Sequence, residues 1–588
     1  MSEPAQPAAA TPSDVAAAVT GDGSLYALLT VLVWGLTAPM RGLWQDDTAL
    51  LAFALAQRGL GLAGVFASTQ GPLRRLYDLP FVLARLTPHP VLALQFLHGT
   101  FWVGQALAAG WITGMLFPQR RLTRLMVVAL TLTATSDYLT NNLTALGYNF
   151  AVLTLLLAVG CGLRFLQRGG AGWLLAAAAA LGASLWTIDI GIPALVFLPL
   201  LVAWQDGIQP RPWPAAPLLS WGAVVAPGIR PRPRSVALLL AWGAVAAPVA
   251  FLEWRFLHDP QGYAALAVIR MTPEELAGRA LDLWYENFMP WHWAFARKIW
   301  YPRPPIVIPA GAMALAAALA VAAFALRVRR TPREAPPAPA ARVLSLAALL
   351  ALMALASNAA YASIQFADID YRTHVLSRIW ASLAIGILAG WAAARWPRAR
   401  LGVLAVPALF IGLGTWGGLE RQDLFLSTWR RHQRELLSIA SIAPAIRPGT
   451  GVILRSGTMP PTYLATQADY LANAWLELIY DEPVTHGLRL WPPVRGSGCR
   501  PTPQGLDCWH EADAGCVAAG RCAPDHFDYD RLILMDYDVP GGVYRLRTSL
   551  AGDPLAVGAE AAASTYRPEE RILRRPLSTA QRRLLLLY

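Results

Sequence analysis

Apolar runs of about 16–23 residues recur along this chain, separated by short pieces rich in arginine or proline. A soluble core has no use for so many runs of that length, whereas repeated membrane-spanning helices require them. Composition agrees: 55% of the 588 residues are hydrophobic and 15% are charged, against about 25% charged in a soluble domain. The runs place spans at 24–42, 92–116, 124–137, 149–165, 172–187, 190–204, 235–252, 305–326, 342–361, 376–394 and 401–418. The expected fold class is an α-helical polytopic membrane protein of about eleven transmembrane helices with a C-terminal extracytoplasmic α/β domain. Residues 1–23, rich in Ala, Pro, Ser and Thr and lacking a basic signal-peptide start, read as a disordered cytoplasmic tail. Residues 24–418 then form the membrane domain, with large outer loops at 43–91 and 253–304, and 419–588 form the α/β domain.

Arginine placement gives an orientation. With the N-terminus inside, the short inner loops hold Arg120, Arg121 and Arg124, then Arg164 and Arg168, then Arg211, Arg230, Arg232 and Arg234. Arg327, Arg329, Arg330 and Arg333 follow, and lastly Arg395, Arg398 and Arg400. All obey the positive-inside rule. The first outer loop carries Arg74, Arg75 and Arg85, but long loops translocate largely regardless of charge. The net charge of +12 lies wholly before residue 419, because the tail has 19 Arg and 19 acidic residues. A positive balance between spans reports topology and not nucleic-acid binding. Pro210–Pro227 and Pro231–Pro248 are near copies, identical at 12 of 18 positions. The first copy reads as a duplicated insert that does not cross, since a crossing there would invert every later loop.

The tail is thereby placed outside, and its cysteines agree. Cys499, Cys508, Cys516 and Cys522 cluster within it, while Cys161 lies in a span. Four clustered cysteines in an oxidising compartment read as two disulfides, and their spacings of nine, eight and six do not suit a zinc site. Connectivity is left open. Residues 423–440 and 463–480 have helical patterns, Gly451–Arg455 reads as a strand, and Leu532–Met535 and Val543–Arg547 as a strand pair. No nucleophile motif, phosphate loop or metal signature is found in the tail, which reads as an accessory or acceptor-recognition domain.

The outer loops hold the candidate chemistry. Asp46 and Asp47 follow the first span, and Thr48–Arg58 is an amphipathic stretch expected along the membrane surface. Acids so close to a bilayer are functional candidates, although Asp is also a good helix cap. Arg74 and Arg75 share that loop; Asp137 and Asp189 sit at span ends; Arg372 and His374 lie before the tenth span. Loop 253–304 is dense in Trp, Tyr and His and contains Glu286, as an interfacial aromatic belt would be. Carboxylates can deprotonate an acceptor, and arginines can hold a leaving phosphate. Asp46 and Asp47, as hard oxygen ligands, also suit Mg²⁺ or Mn²⁺.

An acidic pair early in the first outer loop, the amphipathic stretch behind it, short spans and an extracytoplasmic tail together resemble the GT-C glycosyltransferase superfamily. That polytopic group includes protein mannosyltransferases, aminoarabinose transferases and bacterial arabinosyltransferases. Ser184–Pro193 is similar to segments of bacterial members. The resemblance implies a multi-pass enzyme of the bacterial inner (cell) membrane that takes a sugar from a polyprenyl-phosphate donor to an extracytoplasmic acceptor. Asp46 or Asp47 would be base or metal ligand, and Asp137, Asp189, Arg74, Arg75, Arg372 and His374 would bind substrate. Membrane lipids are the other expected partners. The competing readings are a lipid-linked glycan transporter and a non-catalytic envelope assembly protein. A transporter usually shows a repeat between halves and mid-membrane charges, and the repeat here is short and local.

Overall fold

The computed structural model describes residues 22–43, 46–56, 76–118, 120–135, 143–188, 192, 198–205, 232–258, 271–294, 306–331, 338–362, 374–456, 469–480, 487–490, 498–509, 514–556 and 558–585. The described residues of the first part form helices: α1 (Asp22–Met40), α2 (Asp46–Ala56), α3 (Leu79–Ala84), α4 (Pro90–Leu116), α5 (Arg121–Thr133), α6 (Leu146–Arg168), α7 (Ala171–Thr187) and α8 (Leu198–Gln205). After these come α9 (Pro233–His258), α10 (Pro273–Phe288), α11 (Trp291–Ala294), α12 (Ala310–Arg329), α13 (Ala340–Ala362), α14 (His374–Arg395) and α15 (Arg400–Ile442). Among the described residues, eight helices are long and apolar enough to cross a membrane. They are α1, α4, α6, α9, α12, α13, α14 and the stretch containing α15. Helices α5, α7 and α8 overlap three further expected runs and are shorter. The first copy of the duplicated segment lies outside the described residues, and the second opens α9.

Local sequence explains the joints. Helix α6 ends at Gly169 and Gly170, whose φ of 76° and 96° only glycine adopts freely; the chain then turns back into α7. Thr272 closes a capping box with Glu275 at the head of α10, which makes that amphipathic helix start where it does. Its Trp284 Nε1 donates to the Ala351 carbonyl at 2.9 Å, pinning it to α13. Asp22 bridges Arg121 at 3.1 Å and Arg327 at 2.5 Å, tying three helices at the arginine-rich end of the bundle.

The C-terminal part is α/β. Strands β1 (Ala445–Ile446), β2 (Gly451–Ser456), helix α16 (Asp469–Tyr480), β3 (Gly487–Leu490), β4 (Gly498–Pro501), β5 (Gly505–Trp509), α17 (Ala514–Ala518) and β6 (Asp525–Asp528) come first. Strands β7 (Leu532–Asp538) and β8 (Val543–Leu546), short helices α18 (Glu560–Ala563) and α19 (Pro568–Arg571), β9 (Ile572–Leu573) and α20 (Thr579–Leu584) complete it. The main sheet has the order β3-β2-β7-β8, parallel except for β8. Its central strands read Val452-Ile453-Leu454 and Leu532–Met535, all buried, as expected of strands covered on both faces. Val452 and Leu454 meet Ile439, Ala472 and Leu476 on one side. Ile453 and Leu534 meet Leu506, Phe527 and Tyr566 on the other. Both expected disulfides are present, as Cys499–Cys508 and Cys516–Cys522. The first joins directly opposed residues of β4 and β5.

Two features seat this region on the bundle. Helix α15 runs unbroken through 43 residues, past residue 418 and into contact with β8. Helix α2 packs against α16, and Trp429 of α15 stacks on Trp475 of α16 with centroids 6.2 Å apart. Gly42 leaves no room for a Cβ against Trp429. The described part of Thr48–Arg58 is covered by protein: Thr48, Leu50, Leu51, Ala52 and Ala54 are buried. Their apolar faces meet protein on more than one side, since α2 also contacts α3.

Candidate functional site

Asp47 sits in the first turn of α2 and is 1% exposed. Its Oδ1 accepts the Thr144 backbone N–H at 2.6 Å, from the 3-10 turn Leu143–Ala145 that leads into α6. Tyr77 Oη donates to the carbonyl of the same Thr144 at 3.0 Å and packs edge-on against Tyr148, 5.9 Å away. Gly147 makes this possible, because a Cβ there would strike the Tyr77 ring. A cationic neighbour of Asp47 is Arg41, equally buried and under the coulombic influence of that carboxylate. Arg41 Nη2 donates to the Trp34 carbonyl at 3.1 Å. A buried acid and a buried cation offset each other's desolvation. The backbone of Asp46 opens α2; its side chain lies outside the described residues.

A second set of polar groups enters from α4. Gln95, His98, Trp102 and Gln105 recur at spacings of three and four, so they share one helix face, and all four are buried. Gln95 Nε2 approaches the Arg41 carbonyl at 3.4 Å. His98 stacks on Trp34 at 6.3 Å with the rings 8° from parallel. Trp102 lies under the guanidinium of Arg378, whose Cζ is 3.7 Å from the ring centroid. Gln105 Oε1 accepts from Arg378 Nη2 at 2.8 Å, while its Nε2 donates to the Asn149 side-chain and backbone oxygens at 2.9 Å each. Arg378 is fully buried, supported by a π face and neutral oxygens. The contacts thus run from Arg378 through Gln105 to Asn149, on the same helical segment as the Thr144 that holds Asp47.

His374 stands one turn before Arg378 on α14 and is also fully buried. Asn287 Nδ2 donates to the Leu283 carbonyl and meets His374 Nδ1, both at 3.0 Å. Because the carbonyl can only accept, the amide orientation is fixed, and His374 Nδ1 must accept as well. The proton then sits on Nε2, which donates to Glu286 at 3.1 Å. The result is a carboxylate held by a buried histidine, with Ser377 Oγ on Asn287 Oδ1 completing the set.

Of the sequence-predicted site residues, Asp47 and His374 are placed in these two clusters. Arg74, Arg75, Asp137, Asp189 and Arg372 lie outside the described residues. Some of their described neighbours do meet: the Leu76 N–H donates to the Trp186 carbonyl at 3.1 Å. Thr135 Oγ1 donates to the Trp293 carbonyl at 2.7 Å and reaches Gly414 O at 3.2 Å. Gly414 and Gly417 of α15 permit that approach, having no space for a Cβ against the Thr133 and Trp293 carbonyls. The sequence reading missed Arg378, Gln105 and Asn149. The signal was there, as an arginine within a span and polar residues at helical spacing on α4. Gln105 lies midway along α4, away from the span ends where Asp137 and Asp189 drew attention. Among the described residues no three His, Cys, Asp or Glu side chains come together as a metal set.

No protein-family model matches the chain, and no curated protein matches it. Among solved structures it is similar to ArnT from Cupriavidus metallidurans, in crystal structures bound to undecaprenyl phosphate and in the apo state. Identity is 14% to the bound form and 15% to the apo form, each covering 88% of this chain and 93% of the other with a TM-score of 0.39. Likeness at that TM-score carries no inference about substrate or mechanism.

Proposed function

We propose that this chain is a membrane glycosyltransferase of GT-C type that moves a sugar from a polyprenyl-phosphate donor to an acceptor on the side of the bilayer where the α/β region sits. That side would be extracytoplasmic in a bacterial inner membrane, with the N-terminus in the cytoplasm. The observation that carries the reading is Asp47: a buried carboxylate, oriented by the Thr144 N–H and faced by Arg41, at the end of the bundle beneath the α/β region. Asp47 takes the proton of the acceptor hydroxyl. The acceptor oxygen bonds the anomeric carbon as the bond from that carbon to the phosphate oxygen breaks, and polyprenyl phosphate leaves with the electron pair. Buried arginine beside the site is the residue type that stabilises developing phosphate charge.

The test is a transfer assay in membranes with Asp47→Asn. Asn keeps the acceptor atom for the Thr144 N–H but loses basicity, and loss of a general base costs about 10²–10⁴-fold in rate. Unchanged transfer at normal expression would remove Asp47 from the mechanism. Asp46→Asn in the same assay measures the other half of the pair. Chelation before the assay measures whether a divalent cation takes part at either residue.

A further inference from the structure

Helix α1 changes pitch before it ends. The Leu36 N–H donates to the Val31 carbonyl at 2.9 Å, five residues back, and Val31–Gly35 is a π-turn. Such a turn holds more residues than an α-turn and is frequent at functional sites. Continuing it would pair the Thr37 N–H with the Leu32 carbonyl. The side chain of Gln422, from α15, bridges these two groups instead. Its Oε1 accepts the Thr37 N–H at 3.1 Å, and its Nε2 donates to the Leu32 carbonyl at 2.7 Å. An amide has one donor end and one acceptor end, so the two backbone partners fix its orientation. A side chain inserted into a helical ladder breaks the helix locally.

The break decides where Arg41 goes. Pro39 follows it and has no N–H to give the Trp34 carbonyl five residues back. Arg41 Nη2 donates to that carbonyl at 3.1 Å, with its guanidinium under the influence of Asp47. Helix α15 grips the chain on both sides of Arg41. Gly418 lies against the π-turn, where a Cβ would be 3.0 Å from the Val33 Cα and from its carbonyl oxygen. Beyond Arg41, Gly42 lies against Trp429. Gly418, Gln422 and Trp429 recur at spacings of four and seven, so they share one face of α15. If the π-turn relaxed to α geometry, the chain beyond it would rotate by about 100°, and Arg41 would leave the Trp34 carbonyl.

We infer that Gln422 is a positioning residue for the Asp47–Arg41 pair. Its amide holds α1 in the π geometry, and that geometry presents the Trp34 carbonyl to Arg41. The consequence for transfer rests on the proposed function, whereas the positioning itself does not.

The experiment is backbone hydrogen exchange of the full chain in detergent, read at two amides: Thr37, which donates to Gln422, and Thr144, which donates to Asp47. Gln422→Leu should speed exchange at Thr37 by about tenfold. It should also speed exchange at Thr144 by about twofold or more, because Asp47 loses a fixed neighbour. Arg41→Gln should reproduce the Thr144 effect, and adding Gln422→Leu to it should change Thr144 no further. An unchanged Thr144 amide in Gln422→Leu overturns the inference. So does an effect of the same size in both backgrounds, which would mean general loosening. If Gln422→Leu does not fold, Gly418→Ala decides, since its Cβ must displace the π-turn; an unchanged Thr144 amide then counts against the inference. The transfer assay is separate. Gln422→Leu should lower kcat by about tenfold with the donor KM within about twofold, as for an interaction made in the transition state, and an unchanged kcat would cut the link to catalysis. A wild type that transfers no sugar removes the transferase reading and leaves the exchange result standing.

Discussion

Gln105→Leu asks whether the interior around Arg378 is dry. The side chain makes three contacts, one accepted from Arg378 at 2.8 Å and two donated to Asn149 at 2.9 Å. Leucine fills similar space and makes none. Losing a hydrogen bond from a charged donor costs about 1.5–3 kcal/mol, and leaving buried partners unmet adds about 1–3 kcal/mol. A packed, water-free network therefore predicts a loss of about 2.5–6 kcal/mol. Interhelical hydrogen bonds in membrane proteins average only about 0.6 kcal/mol, with a maximum near 1.7, because the unfolded reference also finds partners. The charge on Arg378 and its contact with the Trp102 face put this case above that range, since a guanidinium finds few substitutes in hydrocarbon. Equilibrium unfolding in mixed micelles reads the difference, and a cycle with Asn149→Leu isolates the Gln105–Asn149 contribution. A loss below about 0.5 kcal/mol, within the scatter of such cycles, would mean that water replaces Gln105. The network would then be the wall of an open cavity and not a packed core.

Three further outcomes follow from the geometry. Replacing Cys499 and Cys508 by Ser should lower α/β-region stability by roughly 2–3 kcal/mol, from closure of a short loop; calorimetry with and without reductant checks it, and Cys161→Ser should leave the reductant effect intact. Glu477, on α16, has its carboxyl held above the usual range by burial, against a lowering contribution from the Asn473 hydrogen bond. Its folded pKa exceeds its unfolded pKa, so ionisation opposes folding at neutral pH. Glu477→Gln should thus raise the thermal midpoint at pH 7, and the gain should shrink as pH falls through the raised pKa; a gain that grows in acid would refute the assignment. Gly417→Ala should push Trp293 off the Thr135 hydroxyl and cost about 1–3 kcal/mol by overpacking, read as a lower midpoint in detergent.

Much of the fold was legible because its causes are local. Apolar runs of bilayer length form helices whatever they pack against, and the short continuous apolar runs in Gly451–Arg455 and Leu532–Met535 make buried strands in the same way. Pairing of the cysteines was not legible, because it depends on β4 and β5 setting Cys499 opposite Cys508, a matter of register. The cover over α2 was not legible, because an apolar face reads alike whether lipid or α16 covers it. His374 could be singled out, but not its partners: Glu286 and Asn287 lie 88 and 87 residues away along the chain. Arg378 was passed over because one charge barely dents the hydropathy of a 22-residue helix.

Helix α15 fixes a height. Its 43 residues make a rod of about 65 Å at 1.5 Å per residue, more than twice the roughly 30 Å hydrocarbon core. The surplus is not a tether, since its far half is built into the sheet through Ser438, whose hydroxyl accepts the Tyr544 N–H at 2.8 Å. The α/β region is in effect a capital on a column, joined to it by continuous helix among the described residues. A movement of the bundle's last helix is therefore carried rigidly into the sheet, and a movement of the sheet is carried back into the bundle.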